Sequence, residues 1–197
     1  REGYFLEKIY EEYCNIFNIK TKDHYYFLAS RKAAMSANID SKDDVKNSLN
    51  RNYIGNIKSF LKSIYDIDYI GNDYNIKLPD ELEKVYNDIK KYEKEIIKKS
   101  SEYKEAYIEY INSIVNYEKD NLVIIDLGYS GTIQYYLSKM LNKDLEGIYL
   151  TNSNSVKRYS KKSKLLFAYD INENSMYEKI YHYSLILEYF LSAPYGQ

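Results

Sequence analysis

The chain has one cysteine, no tryptophan, two prolines, two histidines and seven glycines in 197 residues, and each scarcity narrows its chemistry. Cys14 alone cannot close an internal disulfide, and with only His24 and His182 beside it there is no thiolate or imidazole cluster for a structural zinc. An excess of either charge is missing too. The 28 Lys and Arg residues offset 29 Asp and Glu, for a net charge of -1, which argues against a nucleic-acid partner and against a polybasic membrane clamp. No apolar run approaches the roughly 20 residues that cross a bilayer, and the first residues lack the charged-then-apolar layout of a secretion signal. The expectation is a cytoplasmic protein with no transmembrane segment. At this length a chain buries most of its unfolded surface without a metal or disulfide staple.

What is abundant is tyrosine, 26 residues of it, alongside much Ile, Asn and Lys. That mix is what an AT-rich genome produces, so most of these rings are read as amphipathic cover for half-buried surfaces and not as a stacking or carbohydrate platform. The chain opens Arg1-Glu2-Gly3-Tyr4-Phe5-Leu6, with neither Met nor a loop-like stretch, which suggests a segment of a longer chain.

Phe5, Ile9, Tyr13, Ile16 and Phe17 recur every three or four residues and predict an amphipathic helix from Glu2 to about Asn18 with one core-facing stripe. Residues 24–29 form a short apolar and aromatic run bounded by charge, which reads as a buried strand with Ser30 and Arg31 at its C-terminal end. Ser41 followed by Asp44 resembles a capping box; short helices are expected over 42–50 and 56–65, separated by Gly55, and a loop from Asp66 to Pro79. Then Leu82, Val85, Ile89, Tyr92, Ile96, Tyr103, Tyr107, Tyr110, Ile111 and Ile114 follow by threes and fours. Unbroken, this helix would be about 60 Å long. Ser100-Ser101 is therefore the expected turn of a helical hairpin, inserted at about 80–119, which either packs on the core or protrudes and pairs two copies as a homodimer.

The last third changes character. Residues 122–127 form the continuous apolar run of a strand covered on both faces, a glycine turn follows, and Ile133, Tyr136, Leu137, Met140 and Leu141 have helical spacing. Further strands are expected at 147–150 and 165–169, and a final helix over about 175–191. Strands alternating with helices predict a single α/β domain over 1–197, Rossmann-like and three-layered, with a mainly parallel sheet and the helical hairpin as an insertion.

In open α/β sheets ligands gather at the carboxyl ends of the strands. There Gly128, Ser130, Gly131 and Thr132 combine close backbone approach, two hydroxyls and a helix N-terminus, which suits a phosphate, and Asp126 faces the same crevice as a candidate ligand for Mg²⁺ or a sugar hydroxyl. The alternative is an ordinary strand-to-helix turn with Asp126 bonded to backbone amides. Ser30 and Arg31 make a second phosphate-binding candidate, since a guanidinium can grip phosphate with two bonds; its alternative is a solvated strand end. The basic run from Lys157 to Lys164 reads as solvated surface, His182 as packing, and Cys14 as a small core residue. Glu188 becomes a catalytic carboxylate if its helix returns to the crevice.

Several motifs fall just short. Residues 123–128 resemble the S-adenosylmethionine methyltransferase loop, but Ser130 stands where a second glycine belongs and Thr151-Asn152 offers no acid for a ribose. A phosphoribosyltransferase loop would carry an adjacent pair of acids where this chain has Asp126 alone. Haloacid-dehalogenase phosphatases need Asp-x-Asp directly after a buried strand; Asp66-Ile67-Asp68 lacks the strand and Asp126 lacks the second acid.

Four stretches together resemble a pattern of multidomain bacterial proteins from surface-polysaccharide gene clusters: Arg1-Glu2-Gly3-Tyr4-Phe5-Leu6, Ser30-Arg31-Lys32-Ala33-Ala34, Asp126-Leu127-Gly128-Tyr129-Ser130-Gly131-Thr132-Ile133-Gln134, and Glu188-Tyr189-Phe190-Leu191-Ser192-Ala193-Pro194. In that family a haloacid-dehalogenase-like region, sometimes with glycosyltransferase domains, precedes a Rossmann-like segment carrying these signatures; Glu2, Leu127 and Tyr129 depart mildly from its usual residues. The resemblance implies upstream domains in the same chain and a setting in surface-glycan biosynthesis. The expected function is binding, or transferase or hydrolase chemistry, on a phosphorylated sugar or nucleotide-sugar. Asp126, Glu2 and Glu188 are the catalytic carboxylates of that expectation, and Arg31, Ser30, Gly128, Ser130, Gly131 and Thr132 its phosphate ligands. A non-catalytic module that positions attached domains through the hairpin is the alternative, and a phosphoribosyltransferase-like enzyme a third.

Overall fold

A computed structural model describes residues 3–126, 131–149 and 163–165, which mix helix and strand. They belong to two compact units: Ser30–Val115 with Lys139–Leu141, and Arg1–Ala29 with Asn116–Ser138 and Asn142–Gln197. No helix among the described residues is long and apolar enough to cross a membrane.

The helical unit runs through α2 (Arg31–Ser36), α3 (Lys42–Ser48), β1 (Tyr53–Asn56), α4 (Ile57–Tyr65), β2 (Asn75–Leu78), α5 (Leu82–Ile89), a single 3-10 turn (Lys90–Tyr92) and α6 (Glu93–Ile114). The expected helices at 42–50 and 56–65 correspond to α3 and α4, and each starts on a polar cap. Ser41 Oγ accepts the Asp44 amide while Asn56 Oδ1 accepts that of Ser59. On α4, Ile57, Phe60, Leu61 and Tyr65 follow helical spacing and all are buried. The helix stops at Asp66, whose φ of 54° is left-handed, a conformation that Asp tolerates better than branched residues. With Val45, Leu49, Ile76, Val85 and Ile89 these side chains form the core of the unit.

Two expectations fail here. The loop assigned to Asp66 through Pro79 ends in a strand, because Asn75, Ile76, Lys77 and Leu78 alternate exposed and buried and pair antiparallel with β1, Tyr53 opposite Leu78. The hairpin turn at Ser100-Ser101 is absent: α6 passes straight through both serines. Ser100 is buried, and its Oγ accepts the Ile39 amide at 2.9 Å, so the hydroxyl satisfies a neighbouring segment and leaves its own helix intact. The helical run is interrupted earlier, at the 3-10 turn.

The other unit opens with α1 (Gly3–Ile16), followed by Asn18 with φ 51°. Cys14 is buried as expected, but the stripe is not core-facing: Ile9, Tyr13, Ile16 and Phe17 are each more than half exposed. Residues 24–29 form no strand. The segment from Lys22 is tied to α1 through side chains: the Lys22 amide donates to Tyr10 Oη at 2.8 Å, His24 Nε2 lies 3.3 Å from Glu11 Oε1, and Tyr26 packs edge-on against Tyr4. Ser30 and Arg31 consequently do not end a strand.

In the same unit β3 (Val123–Asp126), β4 (Glu146–Tyr149) and β5 (Ser163–Leu165) form a parallel sheet in that order, with α7 (Thr132–Leu141) between the first two. β5 coincides with the expected strand at 165–169 only at Leu165 and starts two residues earlier; 166–169 and the final helix at 175–191 lie outside the described residues. β3 is not covered on both faces, since Val123 and Ile125 are 46% and 55% exposed.

Candidate functional site

Parallel pairing sets Asp126, the last residue of β3, opposite Tyr149 at the end of β4. Four residues outside the described chain intervene, then Gly131 with φ 65°, buried, and then α7. Positive φ at a buried turn is what glycine adopts without a Cβ clash. The Gly131 carbonyl accepts the Tyr135 amide at 3.0 Å, which makes Gly131 the residue that opens α7. The first amides of such a helix point outward and carry a partial positive charge.

α7 is braced by a residue whose role the sequence did not reveal. Gln134 is buried; its Nε2 donates to the Leu145 carbonyl at 2.7 Å, and its Oε1 accepts the Tyr149 hydroxyl at 2.6 Å. α7 is thereby locked to β4. Gly147 lies beneath this amide, and a Cβ there would collide with the Gln134 side chain. Burial, reinforced by the negative charge of Asp126, pushes the Tyr149 phenol well above its ordinary range, so it stays a neutral donor to Gln134. The only sequence sign of this brace was a glutamine in the third position of a helix that follows a glycine turn.

The expected site residues are divided. Asp126, Gly131 and Thr132 belong to the sheet unit, whereas Ser30 and Arg31 belong to the helical unit. Ser30 is the N-cap of α2, its Oγ accepting the Ala33 amide at 3.0 Å, and Arg31 is exposed at the first position of that short helix. Glu2, Gly128, Ser130 and Glu188 lie outside the described residues, as do His182 and the basic run from Lys157 to Lys162. Among the described residues no three His, Cys, Asp or Glu side chains converge as a metal site. No family model, curated protein or solved structure matches the chain.

Proposed function

We propose that this chain is a Rossmann-like α/β protein that binds a phosphorylated sugar or nucleotide-sugar at the turn after β3, in bacterial surface-glycan assembly. The observation that supports it is the sequence of parallel strand, carboxylate, left-handed glycine and helix N-terminus formed by Asp126, Gly131 and α7. Phosphate oxygens would take the first α7 amides and the Thr132 hydroxyl, both suited to negative charge. Asp126 would accept a sugar hydroxyl or hold Mg²⁺, which commonly pairs one or two protein carboxylates with substrate phosphate and water. With the metal bound, the ion would neutralise phosphate charge; the carboxylate supplies the orientation. Transferase or hydrolase chemistry on that substrate is part of the proposal, with Glu2 and Glu188 as the further carboxylates.

The test is a thermal-shift panel with inorganic phosphate, nucleotide-sugars, sugar phosphates, and phosphoribosyl diphosphate plus Mg²⁺. A ligand at a hundred times its Kd adds about 2.7 kcal/mol to stability, which raises the midpoint by several degrees. Thr132→Val should remove about 1.5 to 3 kcal/mol of that binding energy while leaving the melt of the free protein cooperative. A cooperative melt that no ligand moves, or the same shift in Thr132→Val, overturns the reading.

A second reading, a non-catalytic module that positions attached domains, is favoured by one observation. The apolar face of α1 at Ile9, Ile16 and Phe17 is uncovered among the described residues, and exposed apolar patches mark interaction surfaces. This face, and not a hairpin at Ser100, would be its contact. Sedimentation of Ile16→Asp beside the parent chain discriminates, because a monomeric parent that captures no upstream domain counts against it.

A further inference from the structure

The helical unit contains an open cleft of about 480 Å³ between α2, the end of α4 and the middle of α6. That volume lies within the ordinary range for small-ligand sites. Its lining includes Tyr103, Tyr107 and Tyr110 from α6 and two cationic side chains, Lys32 and Lys62. The tyrosines are four and three residues apart, so they share one face of the helix. The rings of Tyr107 and Tyr110 stack within 9° of parallel at 6.2 Å between centroids. Ala106, small and exposed, leaves the wall between them and Tyr103 open.

The charges around the cleft are not equivalent. Lys62 is held by Asp66 and Asp68, each at 3.0 Å, and Asp66 also binds Lys99 at 2.9 Å. Lys32 is exposed and makes no ion pair among the described residues. Three lysines against two aspartates leave one positive charge at the rim. Ser36 and Ser63 on the lining donate their hydroxyls to the carbonyls of Ile64 and Phe60, so their lone pairs remain acceptors for ligand donors. Burial, and then the neighbouring Tyr110, push the Tyr107 phenol up to about 12.

We propose that this cleft binds a small anion that carries a ring, the ring lying against the α6 tyrosines and the anionic group meeting Lys32. Nucleobases stack on tyrosine faces and the C–H faces of a pyranose pack on them, and an ammonium with no ion-pair partner among the described residues gains most from an incoming phosphate or carboxylate. Mononucleotides and hexose phosphates both carry this chemistry. The inference does not depend on the turn after β3.

The experiment is titration calorimetry on the full chain with AMP, UMP, glucose 1-phosphate and glucuronate, each beside its uncharged parent. Lys32→Gln and Tyr103→Ala alter exposed side chains and spare the core. The charged member of one pair should bind about tenfold tighter than its parent, and Lys32→Gln should erase that difference. Tyr103→Ala should weaken charged and uncharged members alike, again about tenfold. Thr132→Val should leave these affinities unchanged, which separates this cleft from the site proposed after β3. The pair that responds names the ring: a base for the nucleotides, a pyranose for the sugar anions. No binding by any of them, binding indifferent to both cleft variants, or binding lost only in Thr132→Val overturns the proposal.

Discussion

In the helical unit Ile57, Phe60, Val85 and Ile89 have no exposed surface, while in the other unit Ile16, Phe17 and Ile125 are 66%, 60% and 55% exposed. Ile57, Phe60, Val85, Ile89 and Ile16 follow the spacing of amphipathic helices, Phe17 follows directly after α1, and Ile125 belongs to the apolar run of β3. The difference is in what lies opposite. α4 packs against α2, β1 and α6, so its apolar face is closed over by segments of its own unit. Among the described residues, α1 and β3 have no comparable cover over Ile16 and Ile125. An apolar stripe thus reports that a helix or strand has a face to bury, and says nothing about whether the burying partner is at hand.

The largest test of this contrast is a pair of truncations. Phe60→Ala should cost about 3 to 5 kcal/mol, the loss typical of a fully buried ring, whereas Phe17→Ala, from a mostly exposed ring, should stay within about 0.5 kcal/mol. Urea unfolding of both variants reads the difference; equal losses would mean that the α1 face is buried in solution, and the comparison would collapse. Next in size is the buried brace of the sheet unit. Gly147→Ala should cost about 1 to 3 kcal/mol because the new methyl displaces the Gln134 amide from Tyr149 and Leu145. A neutral result would show that Gln134 moves aside freely and that this unit is loosely packed throughout.

Smaller again is the cap of α3. Ser41→Ala removes the acceptor of the Asp44 amide and should lower stability by about 1 kcal/mol, and Ser41→Thr, which keeps the hydroxyl that also donates to the Asp44 carboxylate, should restore most of it. The smallest effect is electrostatic. Hydrogen bonds from Lys99, then Lys62, hold the Asp66 carboxyl down to about 2. Because its folded value lies below the ordinary carboxylate value of about 4, its contribution is full above about pH 4 and disappears as the pH falls toward about 2. Asp66 is half exposed, so thermal midpoints taken across that window should fall only a few degrees more in the parent chain than in Asp66→Asn. Parallel curves would show that solvent screens the network completely.

How far these features were legible differs by element. α3 and α4 could be read because caps and helical spacing are local, as could strand β3 and helix α7 on either side of residues 127–131. β2 was hidden inside an apparent loop because four alternating residues mean little until β1 stands beside them. Ser100 misled because a serine pair in a long helix ordinarily signals a break, and only the distant Ile39 amide turns its hydroxyl into an acceptor. The run at 24–29 has strand composition but takes no strand conformation; His24 and Tyr26 meet Glu11 and Tyr4 of α1. The candidate site divided for a similar reason. Arg31 and Asp126 were joined by their shared suitability for phosphate, which is chemical, while membership of the helical or sheet unit depends on which core each segment feeds.

The sequence by itself excluded an internal disulfide and a structural zinc. It set the amphipathic period of α1, α4 and α6, and it marked the turn after β3 by its glycines, hydroxyls and acid. The tertiary structure alone decided which of those faces are covered, where the long helical run is interrupted, and that Gln134 and Gly147 together lock α7 to β4. It alone also gathered three α6 tyrosines and Lys32 around one cleft. The division follows from range: caps, turns and periodicity act over a few residues, whereas burial and the convergence of side chains depend on segments that chain closure brings together from far along the sequence.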